Sequence, residues 1–456
     1  MIAAACALVV LLGSTAVHAD PESSSYDGVH RHLTALHDIA VANGGTRTSG
    51  GAGYDASAEY VAGQLRAAGY EVVVQDYPFP VYTSKPELRI GTTNYTAGRD
   101  FSTMLHSPGG TVTAPVTGVD LVLPPGPAPD TSSSGCEPAD FTGFPAGHIA
   151  LLQRGTCNYR TKALNAQAAG AVAAVVFNEG QPGRVSQLFG NLSSPGVTIP
   201  VLSASFETGA RLARPGTTAQ LATGPVTTAG LTRNLTAQTS AVTTGEIVVV
   251  GAYLDSAPSS PGANSNASGA AAVLDLAVRM SRQQPQHAVR FAWFGSHEVH
   301  ASGATHYAFT LPPDEAASIA AYVDVDAIGS RNHIVGVHGH ARADAWWNRG
   351  PVATVFDRYF DRRHQPHERL GGTAESDARP FADIGVPTAT LTAGTTGTKT
   401  WRQQALYGGR AGKPYDPCRA IACDGPGNVD RGVLRLHARA LEQAVAELAH
   451  RPPARR

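Results

Sequence analysis

Three short segments of the chain end in residues able to share protons or hold a cation. GAYLD places Tyr253 and Asp255 two apart, FAWFGSHE ends in His297 and Glu298, and YVDVDAIG carries Asp324 and Asp326. Residues two apart on a β-strand face the same side, so Tyr253 projects with Asp255, and Asp324 with Asp326. Carboxylates and an imidazole converging at strand ends form the constellation of a metal or acid/base site. Each is also a plausible cap for a neighbouring element, and that plain role accounts for any one of them alone. Ser265 has the same role open to it, as a cap of the helix expected from Ala267. His297 and His300 lie three apart, but HEVH lacks the H-E-x-x-H spacing that sets two imidazoles on one helix face. His338 and His340 alternate on one strand and read as exposed edge histidines in preference to ligands. Trp293-Phe294 and Trp346-Trp347 read as core or pocket wall.

The elements that position these residues follow an α/β rhythm. Strands are predicted at Ile247 to Leu254, Val289 to Phe294, Ala321 to Val325 and Pro387 to Leu391, with a helix from Ala267 to Arg282 after the Gly/Pro/Ser loop. An earlier helix, ended by Gly69, carries Val61, Leu65 and Ala68 on one face, and a strand from Tyr70 to Tyr77 follows it. A closing amphipathic helix aligns Val433, Leu436, Ala440, Leu441, Ala444, Val445 and Leu448. Between about Tyr82 and Ala229 the texture changes to short β-type runs with frequent turn residues, although GHIALLQRGTCNYRTKALNAQAAGAVAAVVFN reads as strand, loop, helix, strand. The expected organisation is a leader at 1–19, a first α/β part at 20–81, a β-rich insert at 82–229, the remaining α/β part at 230–450 and a tail at 451–456.

Composition narrows the function classes. The 456 residues carry a formal net charge of −1 and 16% charged residues, which gives no general field for nucleic acid or an anionic membrane. An apolar run of about ten residues, then Val17-His18-Ala19, has the pattern of a secretory signal, and no later stretch reaches the roughly 20 apolar residues of a membrane span. The mature protein is expected to be exported and soluble. Once Cys6 leaves with the signal, Cys136, Cys157, Cys418 and Cys423 remain. In an oxidising compartment the simplest pairing is local, Cys136 with Cys157 and Cys418 with Cys423, and the short C-x-x-C pairs of a thiolate zinc site are absent.

The order and wording of the segments NGGTRTSGGAGYDASAEYVAGQLRAAGYEV, GAYLDSAPSSPGANSNASGAAAVLDLA, VRFAWFGSHE, AYVDVDAIGS, ESDARPFADIGVPTATLTAG and YDPCRAIACDGPGNVD resemble the secreted bacterial two-zinc aminopeptidases. The resemblance covers nearly all of the mature chain. It implies an α/β, mixed-sheet zinc-exopeptidase sandwich, and the β-rich stretch with IALLQRGTC and KALNAQAAGAVAAVVFN is similar to a protease-associated (PA) domain inserted into it.

In the family two zinc ions, about 3.5 Å apart, polarise the peptide carbonyl and activate a bridging water. Carried over position by position, the first ligand, a histidine in GAHLDS, is Tyr253 here. The bridging carboxylate of NDN is Ser265, the general base is His297, and the last histidine of CYHxxCD is Ala420. Glu298 and Asp326 are the retained ligand positions. Asp255, which orients the missing histidine in the family, Asp377 and Arg419 surround them. Losing a single supporting partner costs about 10- to 100-fold in metal affinity, so losing three ligands is expected to empty the site. Two family carboxylates are gone while Arg419 and His297 add positive charge, so one of these two cations is expected to stand in for the metal beside Glu298 and Asp326. The reading is a pseudopeptidase or peptide-binding protein with no cofactor expected, zinc being the metal if the site still binds one. Its expected partner is a peptide or protein, with no nucleic acid and no membrane span. The alternatives are an active metal-dependent aminopeptidase with a rebuilt site, and a binding module whose PA insert captures a partner.

Overall fold

A computed structural model describes residues 21–453, apart from 182–183, 189, 191, 193–195, 244, 341–349 and 372–375. The expected leader and the Trp346-Trp347 pair lie outside the described residues. The chain divides into two compact units, one made of residues up to Phe79 and from Gly230 onward, the other of Pro80–Ala229.

The first unit is built on an eight-stranded mixed sheet. Its order is Val72–Ser84, Pro225–Gln238, Ala288–Phe294, Ile247–Tyr253, Ile319–Asp326, Thr388–Thr392, Gly336–His340 and Glu368–Leu370. The four strands starting at 288, 247, 319 and 388 run parallel, flanked by antiparallel neighbours on both sides. Parallel strands joined by crossovers are covered on both faces, which is why IVVVGAY and IAAYVDVD are apolar almost without a break. Alternate residues go to opposite layers. Val248, Val250, Trp293, Val323 and Val325 meet the helices Ala52–Ala67, Ser268–Met280, Pro351–Arg362 and Arg431–His450. Val249, Phe294 and Tyr322 meet Tyr307 and Phe381 of the helices Ser302–Thr310 and Ala378–Asp383. Trp293 and Phe294 are therefore core residues of opposite layers, as expected. Gly269 lets the buried helix approach the sheet, because a Cβ there would sit 2.3 Å from the Val325 carbonyl oxygen.

The closing helix Arg431–His450 is capped by Asp430, whose carboxylate accepts from Gly432 N at 2.9 Å and Val433 N at 3.0 Å. Its buried face differs slightly from the predicted one, since Leu436 is only half-buried while Leu434 and His437 are enclosed. The apolar seam is wide enough for the whole face to rotate toward Leu434, and a neutral imidazole fits within it.

The second unit also holds an eight-stranded sheet with parallel strands Thr111–Gly118, Ile149–Gln153, Ala173–Phe177 and Val201–Ala204 at its centre. The predicted strand, loop, helix, strand run appears as Ile149–Gln153, Tyr159–Ala168 and Ala173–Phe177. Both local disulfides form, Cys136–Cys157 with Cα atoms 5.7 Å apart and Cys418–Cys423 with Cα atoms 5.3 Å apart. Among the described residues no helix is long and apolar enough to cross a membrane.

Candidate functional site

The parallel strands of the first unit deliver their carboxyl ends to one place. Tyr253 closes Ile247–Tyr253 and Asp326 closes its neighbour Ile319–Asp326. Period two sets Tyr253 on the face of Val249 and Asp326 on the face of Tyr322, which is the same layer. The Tyr253 phenol donates to Asp326 Oδ1 at 3.0 Å and lies 2.9 Å from Ser265 Oγ. Its single proton is committed to Asp326, so Ser265 donates in the second bond. His297 lies flat on Tyr253, with ring centroids 3.7 Å apart and planes 7° from parallel. Its Nδ1 donates to Asp377 Oδ1 at 3.0 Å. Asp377 is fully buried, and its Oδ2 has no hydrogen-bond partner among the described residues.

The electrostatics follow from this packing. Burial opposes charge on the His297 ring, but Asp377, with Glu298 and Asp326 behind it, outweighs burial and pushes the pKa up to about 10. The ring is an imidazolium at neutral pH, which makes Nδ1 a donor. Burial raises Asp326, while His297, the Tyr253 bond and Arg419 act in the opposite direction. The Tyr253 phenol is held well above its ordinary value by burial, reinforced by Asp326 and Glu298. Burial, with Asp377 and Asp326 adding to it, pushes Asp324 up to about 8, and that carboxyl accepts from Ser376 Oγ at 2.8 Å and Thr390 Oγ1 at 3.0 Å. Ser296, Ala327 and Ala420, three non-glycine residues with φ of 46°, 48° and 61°, adopt left-handed backbone around the site. Such strain, about 1 kcal/mol or more each, concentrates where a fold holds functional groups.

The loop after Tyr253 is pinned from two sides. Arg47, fully buried, donates to the carbonyls of Leu254, Pro261 and Gly262. From the other side the Asp424 carbonyl accepts from Ala263 N at 2.9 Å, while its carboxylate accepts from Asn264 N at 2.9 Å and Ser265 N at 3.1 Å. Asp416 Oδ2 accepts from Asn264 Nδ2 at 2.7 Å, and Asn428 Nδ2 donates to both Asp416 and Asp424. These two acids bracket the Cys418–Cys423 ring, so the segment carrying Arg419 and Ala420 is tied directly to Ser265.

Most of the residues singled out from the sequence meet here, though several do different work. Asp255 is fully buried. It accepts from the backbone N–H of His297 at 3.0 Å and of Glu298 at 3.2 Å, and burial pushes its pKa up to about 7. Ser265 does not cap the following helix. Asn266 does so, its Oδ1 accepting from Gly269 N at 3.1 Å and from Ala327 N at 2.9 Å. Glu298 is half-buried beside His297, whereas His300 is exposed. His338 is not an edge histidine, because its strand pairs on both sides. It donates to the Gly371 carbonyl and sits close enough to Asp326 to feel its charge. The side chain of His340 lies outside the described residues. Asp416, Asp424 and Arg47 escaped sequence reasoning, although Asp424 follows Cys423 directly. Among the described residues no group of three or more His, Cys, Asp or Glu is arranged to hold a metal ion.

Comparison with known proteins agrees with this architecture. Residues 234–445 match peptidase family M28 and residues 113–212 match the PA domain. An aminopeptidase of Pseudomonas aeruginosa is 38% identical over 435 residues, covering 92% of this chain and 80% of its own length. A probable lipoprotein aminopeptidase of Mycobacterium tuberculosis is 30% identical, covering 92% of this chain and 84% of its own. The structure of a zinc aminopeptidase from Bacillus subtilis aligns with a TM-score of 0.73 at 22% identity, over 95% of this chain and 96% of that one. An aminopeptidase from Aneurinibacillus sp. strain AM-1 aligns with a TM-score of 0.66 at 24% identity, over 95% of each chain. At these identities the two structures establish the fold, and the sequence relatives establish the family: the chain belongs to peptidase family M28 and carries a PA domain.

Proposed function

We propose that this chain is an exported pseudopeptidase of the zinc aminopeptidase family, which uses its strand-end cleft to bind a peptide or protein rather than to hydrolyse one. The observation that carries the reading is the Tyr253 phenol hydrogen-bonded to both Asp326 and Ser265. Tyr253, Ser265 and Ala420 stand at three family ligand positions, and none offers an imidazole or carboxylate. His297, at the family's general-base position, has no lone pair while it is an imidazolium, so it neither ligates a metal nor takes a proton from water. Glu298 and Asp326 remain, and Asp326 is engaged by the phenol. This donor set does not fit two zinc ions. Of the two candidate cations for the metal's place, His297 is favoured, because it is stacked on Tyr253 and bonded to Asp377, with Arg419 contributing its charge from the disulfide ring. Two disulfides and the sequence of residues 1–19 support export.

The relatives named aminopeptidases, one of them 38% identical, favour a second reading, an active enzyme with a rebuilt metal site drawing on Glu298, Asp326 and Asp324 with His297 or His300. Metal analysis of protein purified without chelators, together with leucine p-nitroanilide assays with and without added zinc or cobalt, separates the two. The pseudopeptidase reading expects well under one zinc per chain and no metal-dependent release of p-nitroaniline. Two tightly held zinc ions, or release that rises with added metal, overturns it.

A further inference from the structure

The Cys136–Cys157 disulfide of the second unit lies in an asymmetric field. Lys162, one turn into the helix Tyr159–Ala168, is fully buried. Its Nζ donates to the Ser134 carbonyl and lies 3.5 Å from Cys136 Sγ. Thr156 Oγ1 is 3.4 Å from the same sulfur. That hydroxyl also donates to the Ser132 carbonyl at 3.4 Å, so the donor dedicated to the Cys136 side is the charged Lys162 ammonium. The surrounding loop is held rigidly. Asn165 Nδ2 donates to the carbonyls of Gly135 at 3.1 Å and Cys136 at 2.9 Å. Gly155 approaches Ser132 so closely that a Cβ would sit 1.8 Å from the Ser132 carbonyl oxygen, which keeps the two cysteine-bearing loops together.

The lysine itself is short of an ionic partner. No carboxylate among the described residues lies within ion-pair distance of Nζ, and its neighbours there are a carbonyl and a sulfur. Burial lowers its pKa to about 8, with the more distant Asp140, Glu179 and Asp120 acting in the opposite direction, so the amine is mostly cationic at neutral pH. A buried cation without a counter-ion is costly. A thiolate on Cys136 would supply that counter-ion, and cysteines beside lysine ionise more readily than the ordinary thiol.

We propose that Cys136–Cys157 is a thiol-exchange site: an external thiolate attacks Cys157 Sγ, and Cys136 leaves as a thiolate paired with the Lys162 ammonium. The incoming sulfur forms a new S–S bond to Cys157 as the bond to Cys136 breaks. The electron pair of the broken bond goes to Cys136, one disulfide replaces another, and no net oxidant or reductant is consumed. A more stable leaving thiolate departs faster, which sets the direction of attack. The competing influence is the N-terminus of the helix, which would favour a thiolate on Cys157 instead. That end is already capped, since Asn158 Oδ1 accepts from Thr161 N at 2.8 Å and from Thr161 Oγ1 at 2.9 Å. A full positive charge within hydrogen-bonding reach of Cys136 outweighs the partial charge of a capped helix end. Cys157 is half-buried, so the exchange has surface to start from.

The experiment incubates the full chain with reduced glutathione at neutral pH, quenches with iodoacetamide and maps the peptides by mass spectrometry. The expected product carries glutathione on Cys157 and carbamidomethyl on Cys136, in at least about tenfold excess over the reverse arrangement. Lys162→Met is expected to slow the reaction about tenfold and to erase the preference, whereas Lys162→Arg, which keeps the cation, retains it. The regiochemistry in the unaltered protein decides the matter by itself if Lys162→Met fails to fold. Glutathione found mainly on Cys136, found equally on both cysteines, or found only on the Cys418–Cys423 pair overturns the proposal.

Discussion

Replacing His297 by glutamine removes the cation facing Asp377, a carboxylate with no solvent exposure and one oxygen already without a hydrogen-bond partner among the described residues. Raising an imidazole from 6.5 to about 10 corresponds to about 5 kcal/mol, at about 1.4 kcal/mol for each tenfold change in proton affinity. That agrees with the about 3–5 kcal/mol lost when one partner of a buried ion pair is removed. His297→Gln is therefore expected to destabilise the first unit by about 3–5 kcal/mol, and Asp377→Asn, which strands the imidazolium, by a similar amount. The double variant leaves two neutral amides and recovers much of the loss, giving a coupling of about 2–3 kcal/mol in the cycle. The sign with pH follows from the raised pKa: the contribution is complete below pH 6.5 and is lost as pH rises through about 10. Denaturant unfolding of the four proteins at pH 6 and pH 10 measures both effects. Additive single effects with coupling under about 0.5 kcal/mol at pH 6, or a coupling that persists unchanged at pH 10, would refute the idea that an imidazolium holds this site together.

Tyr253→Phe deletes the donor to Asp326 and is expected to cost about 1–3 kcal/mol, read as a lower denaturation midpoint, with no gain in leucine p-nitroanilide hydrolysis. Cys418→Ser combined with Cys423→Ser opens a small ring and should cost about 2 kcal/mol, while hydrogen exchange at the amides of residues 263–265 accelerates because Asp424 loses its fixed position. His437 is fully buried on the closing helix of the first unit, and burial pushes its pKa down to about 4. Its contribution is therefore complete above pH 6.5 and lost as pH falls toward 4, so His437→Leu should remove about 3 kcal/mol of the acid sensitivity seen in urea titrations between those values.

Much of this protein was legible before folding was considered. Apolar runs of the right length marked the four parallel strands, because parallel strands buried on both faces leave a continuous hydrophobic signature. Period two placed Asp324 and Asp326 together on one strand face, and local cysteine spacing gave both disulfides. The identities at 253, 265, 297 and 420 are plain letters of the sequence, and the proposal that the family's metal site is degenerate rests on them. The closing helix and its buried face were legible too, with Val433, Ala440, Leu441, Ala444, Val445 and Leu448 all enclosed, and only the additional burial of Leu434 and His437 at the edge of the seam was not.

Tertiary structure decided which charged groups meet. Nothing local distinguishes His297 from Arg419 as the partner of a buried carboxylate. The choice depends on Asp377, 80 residues from His297, reaching its ring nitrogen. The same holds for Asp424, which clamps Asn264 and Ser265 across 160 and 159 residues, and for His338, placed near Asp326 only because its strand is inserted between two others. Periodicity tells which way a side chain points along its own strand. It carries no information about which partner a crossover delivers to that face, and in this protein those deliveries decide whether a set of inherited letters forms a metal centre or an ion-paired pocket.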